Sequence, residues 1–199
     1  MKKIILSICC LSFYFGIIAQ SNDMNQLPYY EIPAYPEAYE AETIAARMID
    51  GLGYRYFWAT KDLREEDLNY KPSEDSRTAK ETLDHIYGLS EVVKNGALNK
   101  PNIRPAQQTE MSFEEKRKAT LENIKAASDF LRTAAKGTTA KSKVIFQRGE
   151  QTSEFPFWNL LNGPLADAIY HVGQIVAYRR ASGNPMDSRV SVFSGKTRE

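Results

Sequence analysis

One apolar segment, from Phe157 to Arg180, constrains the fold of this chain most. Beyond Leu165 nothing stronger than Gly173 opposes a helix, so the pattern predicts a long helix that is buried on more than one side. Pro164 either kinks this helix or restarts it, and Gly183 terminates it. Because this segment is the most apolar of the periodic stretches, we expect it to form the most buried helix.

Four polar side chains share one face of this predicted helix, at positions i, i+4, i+7 and i+11. They are Asp167, His171, Gln174 and Tyr178. A buried stripe of polar groups needs partners from elsewhere in the fold. The obvious candidate is His85, because the chain contains only two histidines.

The first twenty residues are typical of a targeting segment. Lys2 and Lys3 precede an apolar run, IILSICCLSFYFGIIA, which is too short and wrongly flanked for a membrane-spanning helix. Small and polar residues begin at Ala19 and Gln20, where we expect a secretory signal peptide (residues 1–20) to be cleaved. The alternative is an uncleaved N-terminal anchor. Cleavage predicts a periplasmic or secreted protein with no stable membrane insertion.

Removal of this segment changes the composition of the chain. Both cysteines, Cys9 and Cys10, are lost, which excludes disulfides and cysteine metal ligands. Loss of Lys2 and Lys3 lowers the formal net charge from +1 to −1. Such a near-neutral balance gives no support to nucleic-acid binding or to electrostatic adhesion to membranes. The remaining chain, roughly 180 residues, suits one domain with a full core.

The rest of the chain divides into three parts. Residues 21–37 hold three prolines and no helical period, so we expect an extended arm that lies on the domain or stays mobile. Residues 38–187 form the domain, and residues 188–199 form a peripheral tail.

Four helices are predicted within the domain. Apolar residues recur at steps of three and four over about 38–63 and 77–98, and Ser76 is placed to cap the second helix. The Ser112–Glu115 capping box starts the third helix, and Gly137 stops it near residue 136. The apolar segment that ends the domain supplies the fourth.

A small β-hairpin is predicted between the third and fourth helices. Residues 143–155 read KVIFQRGEQTSEF, with a turn at Gly149 and Glu150. The segment 99–110 contains two prolines and is long enough to cross one end of a bundle. We therefore expect an all-α fold, a four-helix bundle with a long crossover loop and this small hairpin.

The residue types His85, Asp167 and His171 have the chemistry of a metal site. An Asp and a His at i and i+4 can ligate one divalent cation, with a third ligand from a neighbouring helix. Two imidazoles and one carboxylate leave coordination positions open for water or substrate. Such an open site is catalytic in form, because a divalent metal can ionise water near neutral pH.

Three further side chains are candidates for catalytic roles. Glu81 lies one turn before His85 and is a candidate general base or partner of that histidine. Gln174 and Tyr178, on the stripe with the proposed ligands, are candidates to orient water or substrate. No phosphate-cradling glycine loop, nucleophile elbow or dinucleotide fingerprint is present in the sequence.

The same residues also fit a purely structural interpretation. In that case His171 hydrogen-bonds Asp167 or a backbone carbonyl, and Thr82 or Tyr170 satisfies His85. The cluster would then only fix the register of the helices.

Two segments resemble the DinB-like family, also called the DinB/YfiT superfamily. They are KPSEDSRTAKETLDHIYGLSE and NGPLADAIYHVGQIVAYRRASGNP, and the resemblance spans roughly residues 40–185. Its most specific parts are the histidine after a KPS-type linker and the HVGQI segment followed by RRASGNP. The resemblance implies a four-helix bundle in which three residues, usually histidines, bind a divalent metal.

Carried over by position, the resemblance assigns His85 as the ligand from the second helix and His171 as the last ligand from the fourth. Asp167 stands where the family usually has its other histidine. A carboxylate is an acceptable ligand, and it shifts the preference toward harder ions such as Mn, Fe or Zn. The implied cofactor is therefore a divalent metal, Zn, Ni, Mn or Fe.

The resemblance also bears on activity. Members of the family include transferases and isomerases that use low-molecular-weight thiols, and many others are described as metal-dependent hydrolases. An exported protein would not meet a cytosolic thiol, so we expect a metal-dependent hydrolase. The alternative is a non-catalytic module that binds a small molecule beside a degenerate metal site. The expected partners are a small-molecule substrate or ligand and a second copy in a homodimer, with no nucleic acid.

Overall fold

The structure, a computed structural model, describes residues 27–106 and 110–198. The signal peptide predicted over residues 1–20 lies outside these ranges, as does the start of the predicted arm. Within the described ranges, no helix combines the length and the apolar character needed to span a membrane.

Four long helices enclose the core. In chain order the helices are α1 (Ala41–Thr60), α2 (Glu65–Asn69), α3 (Ala79–Ala97), α4 (Phe113–Thr133), α5 (Thr138–Lys141), α6 (Trp158–Leu160) and α7 (Ala166–Ala181). Helices α1 and α3 each pack against both α4 and α7. Their buried apolar side chains form one cluster, in which Ile49, Leu52 and Ile124 are completely buried.

The expected all-α class is wrong, because the described residues are 55% helical and 11% strand and form two sheets. The strands are β1 (Pro101–Ile103), β2 (Lys143–Arg148), β3 (Gln151–Pro156), β4 (Val190–Ser191) and β5 (Lys196–Thr197). Strands β2 and β3 form the predicted hairpin. The expected crossover loop instead contributes β1, which pairs in parallel with β2. Asn102 secures this pairing, since its buried amide donates to the Ile145 carbonyl at 2.9 Å.

Reciprocal capping boxes start α3 and α4. For α4 the predicted box is confirmed: Ser112 N–H donates to the Glu115 carboxylate at 2.7 Å, and Glu115 N–H donates back to the Ser112 hydroxyl. Helix α3 is capped by Thr78 rather than by Ser76. The reason is Glu81, which stands three residues after Thr78 and accepts from its backbone N–H at 2.7 Å.

The predicted fourth helix is interrupted. Strand β3 extends to Pro156, and a π-helical turn (Leu161–Leu165) follows the short helix α6. Within this turn Gly163 leaves helical geometry, with φ −96° and ψ −107°, immediately before Pro164. Proline has no N–H and crowds the preceding residue, so the chain restarts as α7 at Ala166. This restart places Asp167 in the first turn of α7.

The most buried helix is α1, not α7 as expected. Fourteen of the 20 residues of α1 are buried, against four of the 16 residues of α7. Helix α1 packs on α4 and α7 and is also covered by the N-terminal arm, whereas one side of α7 faces solvent and exposes Tyr170. The polar stripe of α7 is therefore accessible from outside.

The arm is anchored on α1 through Tyr29. The Tyr29 hydroxyl donates to Asp50 at 3.2 Å, and Ser128 donates to the same carboxylate oxygen at 2.5 Å. Arg132 pairs with the other oxygen of Asp50. Burial raises the pKa of Tyr29 far above its usual range, and the neighbouring Asp50 carboxylate raises it further. The phenol is therefore a permanent donor to Asp50.

The close approach of Tyr29 to Gly53 yields a stability prediction. A Cβ atom at Gly53 would lie 2.5 Å from Cδ2 of Tyr29, whose ring is held in place by its bond to Asp50. We expect Gly53→Ala to lower the free energy of unfolding by about 1–3 kcal/mol, measured by urea denaturation, because the ring must move. Gly88→Ala is the control, since nothing lies within 4 Å of its Cβ position, and it should be neutral or stabilising. Equal changes in the free energy of unfolding for Gly53→Ala and Gly88→Ala would show that the Tyr29 ring does not restrict position 53.

Candidate metal centre

Two helices bring the three predicted metal ligands together. His85 comes from the middle of α3, and Asp167 and His171 come from the first two turns of α7. The Asp167 carboxylate lies between the two rings: Oδ2 is 3.2 Å from Nε2 of His85, and Oδ1 is 3.3 Å from Nε2 of His171. The two imidazole rings meet edge to face, with centroids 4.8 Å apart.

The hydrogen bond from His171 to Gln174 fixes which nitrogen of His171 is free. Nδ1 lies 2.7 Å from Oε1 of Gln174, and an amide oxygen only accepts, so Nδ1 carries the proton. In the neutral ring, the lone pair of Nε2 then points at the Asp167 oxygen 3.3 Å away. In that tautomer Nε2 is the nitrogen of His171 that is available to coordinate a metal ion shared with Asp167.

The donor set fits a divalent transition metal. One ligand atom from each of His85, Asp167 and His171 can be chosen so that all three lie within 4.8 Å of one another. Ligands around a tetrahedral ion with bonds near 2.0–2.1 Å are about 3.4 Å apart. The two short separations from Asp167, 3.2 and 3.3 Å, involve different oxygens, so side-chain rotation is needed to bring one atom of each residue onto a single ion. These residues could therefore hold a metal ion.

The site is open to solvent on one side. The side chains of His85 and Asp167 are 36% and 43% exposed, whereas that of His171 is 12% exposed. His85 lies at the boundary of the core. A substrate could therefore approach the carboxylate and His85 from outside, while His171 and its partner Gln174 form the inner wall.

The candidate catalytic residues have three different environments. Gln174 contacts His171 directly. Tyr178 lies about one turn beyond Gln174 on α7, and its ring packs against Tyr70 with centroids 5.6 Å apart. The Glu81 carboxylate accepts from the backbone and the hydroxyl of Thr78, and these hydrogen bonds lower its pKa. Among the three, only Gln174 is joined to the ligand cluster by a hydrogen bond, and the catalytic roles of the other two stay predictions.

Two aromatic contacts at the site were missed by the sequence analysis. Tyr170 packs on His171 with ring centroids 5.3 Å apart, although it is 65% exposed. Tyr70, directly after α2, packs against Tyr178. Helical periodicity predicts neither contact. Tyr170 and His171 are adjacent in the sequence, and adjacent residues of a helix point about 100° apart. Tyr70 lies outside the helices, so no helical period includes it.

Comparisons with known proteins provide no relative from which to transfer a function. No protein-family model matches the chain, and neither the curated proteins nor the solved structures give a match. Functional inference therefore depends on the geometry of the site.

The contact between Gln174 and His171 leads to a test. We expect Gln174→Leu to weaken Zn²⁺ binding by about 10- to 100-fold, since the ring loses the acceptor that orients it. Gln174→Glu keeps an acceptor at the same place and should preserve the affinity. Competition titration with a zinc indicator measures both variants. Indistinguishable affinities for Leu and Glu would mean that Gln174 does not position His171.

Proposed function

We propose that this protein is an exported, DinB-like metal-dependent hydrolase whose ion is bound by His85, Asp167 and His171. The observation that carries the proposal is the convergence of both Nε2 atoms on the two oxygens of one carboxylate. A cluster of two imidazoles and one carboxylate suits Zn, Mn, Fe or Ni. Three protein ligands leave positions open, as catalytic sites require.

In the proposed hydrolysis each residue of the site would have its own role. A bound divalent metal supplies Lewis acidity, which polarises a scissile carbonyl or phosphoryl group and activates water. Asp167 offsets the positive charge and leaves one face of the site to solvent. Gln174 holds the His171 ring through Nδ1, so that Nε2 presents its lone pair. Tyr170, exposed beside His171, would contact a substrate.

Metal analysis is the first experiment. The protein is purified without chelator or polyhistidine tag, and bound Zn, Mn, Fe and Ni are measured by plasma mass spectrometry before and after reconstitution. We expect one equivalent of metal per chain and none in a His85→Ala variant. A protein that takes up none of the four metals would defeat the proposal. A panel of chromogenic carboxylic and phosphoric esters then tests hydrolysis, with the His85→Ala variant as the blank.

A second candidate is a non-catalytic module that binds a small molecule. It is favoured by the contacts of Asp167, because each of its oxygens already lies near one histidine, as a hydrogen-bonded cluster without metal would have it. In that case His85→Ala should leave ligand binding and folding nearly intact. Simultaneous loss of metal and turnover in the same variant argues for the enzyme instead.

Export is part of the proposal and is tested separately. Its support is the sequence of the first twenty residues, with Lys2 and Lys3 before an apolar run. We expect the chain recovered from the periplasm or medium to begin near Gln20 or Ser21, as read by N-terminal sequencing. Recovery of the uncleaved chain in the membrane fraction would indicate an anchor.

A further inference from the structure

A cavity lies along α7, on the side that faces away from the candidate metal centre. It encloses about 320 Å³ and is formed by α7, α1 and the C-terminal tail. Its apolar lining consists of Ile169, Val172, Val176, Met186, Val190 and Val192. Ile169 and His171 lie about 160° apart around the helix axis, so the two sites occupy opposite faces of α7. We call this cavity the tail groove.

Two arginines, Arg55 from α1 and Arg180 from α7, also line the tail groove. Within the described residues neither guanidinium is within 4.0 Å of a carboxylate, and Arg55 donates only to the Gly51 carbonyl at 2.9 Å. Asp187, the residue just before the tail, is already paired with Arg189 at 2.8 Å. The groove therefore combines an apolar lining with positive charge that no side chain of the described chain neutralises.

We propose that the tail groove binds a free medium-chain carboxylate, an unbranched alkyl chain with one anionic head. The valine, isoleucine and methionine side chains would cover the alkyl chain, and Arg55 and Arg180 would bind the head. Guanidinium groups match carboxylates in charge and in planar geometry. The volume lies in the range of small-ligand sites, at the lower end, which suits a short chain better than a long-chain lipid.

The lining of the tail groove has free space at Gly173, so a larger side chain there could block the groove. Gly173 lies in its lining, and nothing approaches within 4 Å of the position of a Cβ atom there. A leucine at this place would extend into the groove from an unhindered Cβ position, and it favours the helix more than glycine does. Gly88 on α3 is the matched control, because it also lies in a helix with no neighbour within 4 Å and is not part of the groove.

The experiment titrates the full chain with octanoate by isothermal calorimetry. EDTA is present throughout, so that a carboxylate cannot bind through a metal at His85 and Asp167. We expect one octanoate per chain, with affinity that rises by about fourfold per added methylene from butanoate to octanoate. Octanol, which has the same chain without the charge, should bind at least about tenfold more weakly. Acetate should not bind measurably.

Variants locate the site and separate it from the proposed hydrolase. Gly173→Leu should abolish octanoate binding, Gly88→Leu should leave it unchanged, and Arg180→Gln should weaken it by about tenfold or more. Arg148→Gln, on the distant hairpin, is the charge control. Because the titration is performed without metal, its result does not depend on whether His85, Asp167 and His171 support hydrolysis.

Three results would overturn the proposal. Equal affinities for octanoate and octanol would show that the arginines do not recognise the head. Unchanged binding to Gly173→Leu would place the ligand elsewhere. The third result combines two observations: the wild type does not bind octanoate, and sedimentation velocity shows a wild-type dimer that Gly173→Leu dissociates. Together they would assign this face to self-association.

Discussion

Asp167→Ala is expected to lower the affinity for Zn²⁺ by at least about 100-fold, which exceeds the usual effect of removing a residue that only supports a ligand. Asp167 is the sole carboxylate among the three candidate ligands, and its two oxygens face Nε2 of both His85 and His171 at 3.2 and 3.3 Å. Its removal leaves two imidazoles with no anion between them. Isothermal titration with Zn²⁺ and with Mn²⁺, on tag-free protein, measures the loss.

Asp167→His is the matched control for this prediction. Histidine restores a third nitrogen ligand, so binding of Zn²⁺ and Ni²⁺ should survive while binding of Mn²⁺, which prefers oxygen ligands, should be lost. An Asp167→Ala protein that binds Zn²⁺ as tightly as the wild type would mean that the metal is held elsewhere. Circular dichroism of both variants checks that the fold is unchanged.

Arg179→Met is expected to lower the free energy of unfolding by about 3–5 kcal/mol, since several buried carbonyl groups would lose their donor. Arg179 is only 4% exposed. Its Nη1 donates to the carbonyls of Trp58, Ala59 and Lys61 at 2.9 to 3.1 Å, where α1 ends, and its Nε donates to the Asn184 carbonyl at 2.8 Å. Burial lowers the pKa of Arg179, and the four carbonyl oxygens compensate for the lost hydration. Urea denaturation measures the change.

The next residue provides the control. Arg180 has the same chemistry but is exposed, and within the described residues it makes no side-chain hydrogen bond or ion pair. Arg180→Met should therefore change the free energy of unfolding by less than about 0.5 kcal/mol. Similar losses for the two variants would show that the carbonyls at the end of α1 do not depend on Arg179.

Local signals in the sequence predicted the local elements well. The box from Ser112 to Glu115 marks the start of α4 because both hydrogen bonds form within four residues. The hairpin turn at Gly149, with φ +58°, is likewise encoded where it occurs. Strand β1 was missed because it has three residues, and only its pairing with β2, more than forty residues later, makes it a strand.

The ends of helices were harder to predict. Gly137 was expected to stop the third helix, but α4 ends at Thr133 and Gly137, with φ +86°, precedes the short helix α5. Similarly, Pro164 left open whether the fourth helix bends or restarts. The answer depends on Gly163, whose backbone leaves the helical region immediately before the proline.

The composition of the site was predictable, and its exposure was not. The spacing of Asp167 and His171 on α7 indicates a shared face from the sequence alone. Their meeting with His85 depends on how α3 packs against α7. The hydrophobic pattern overestimated the burial of α7, because its apolar side chains are divided between the core and the tail groove.

The separation of His85 and Asp167 along the chain has a mechanical consequence. The two residues are 82 positions apart, so an ion that joins them closes a long loop and ties α3 to α7. The only two cysteines of the chain, Cys9 and Cys10, are adjacent, so no disulfide can make such a cross-link within one chain between distant segments. At a free concentration one hundred times its Kd, a metal adds about 2.7 kcal/mol to the stability of the folded chain. Chelation of such a bound metal would therefore lower the free energy of unfolding of the whole chain as well as empty the site.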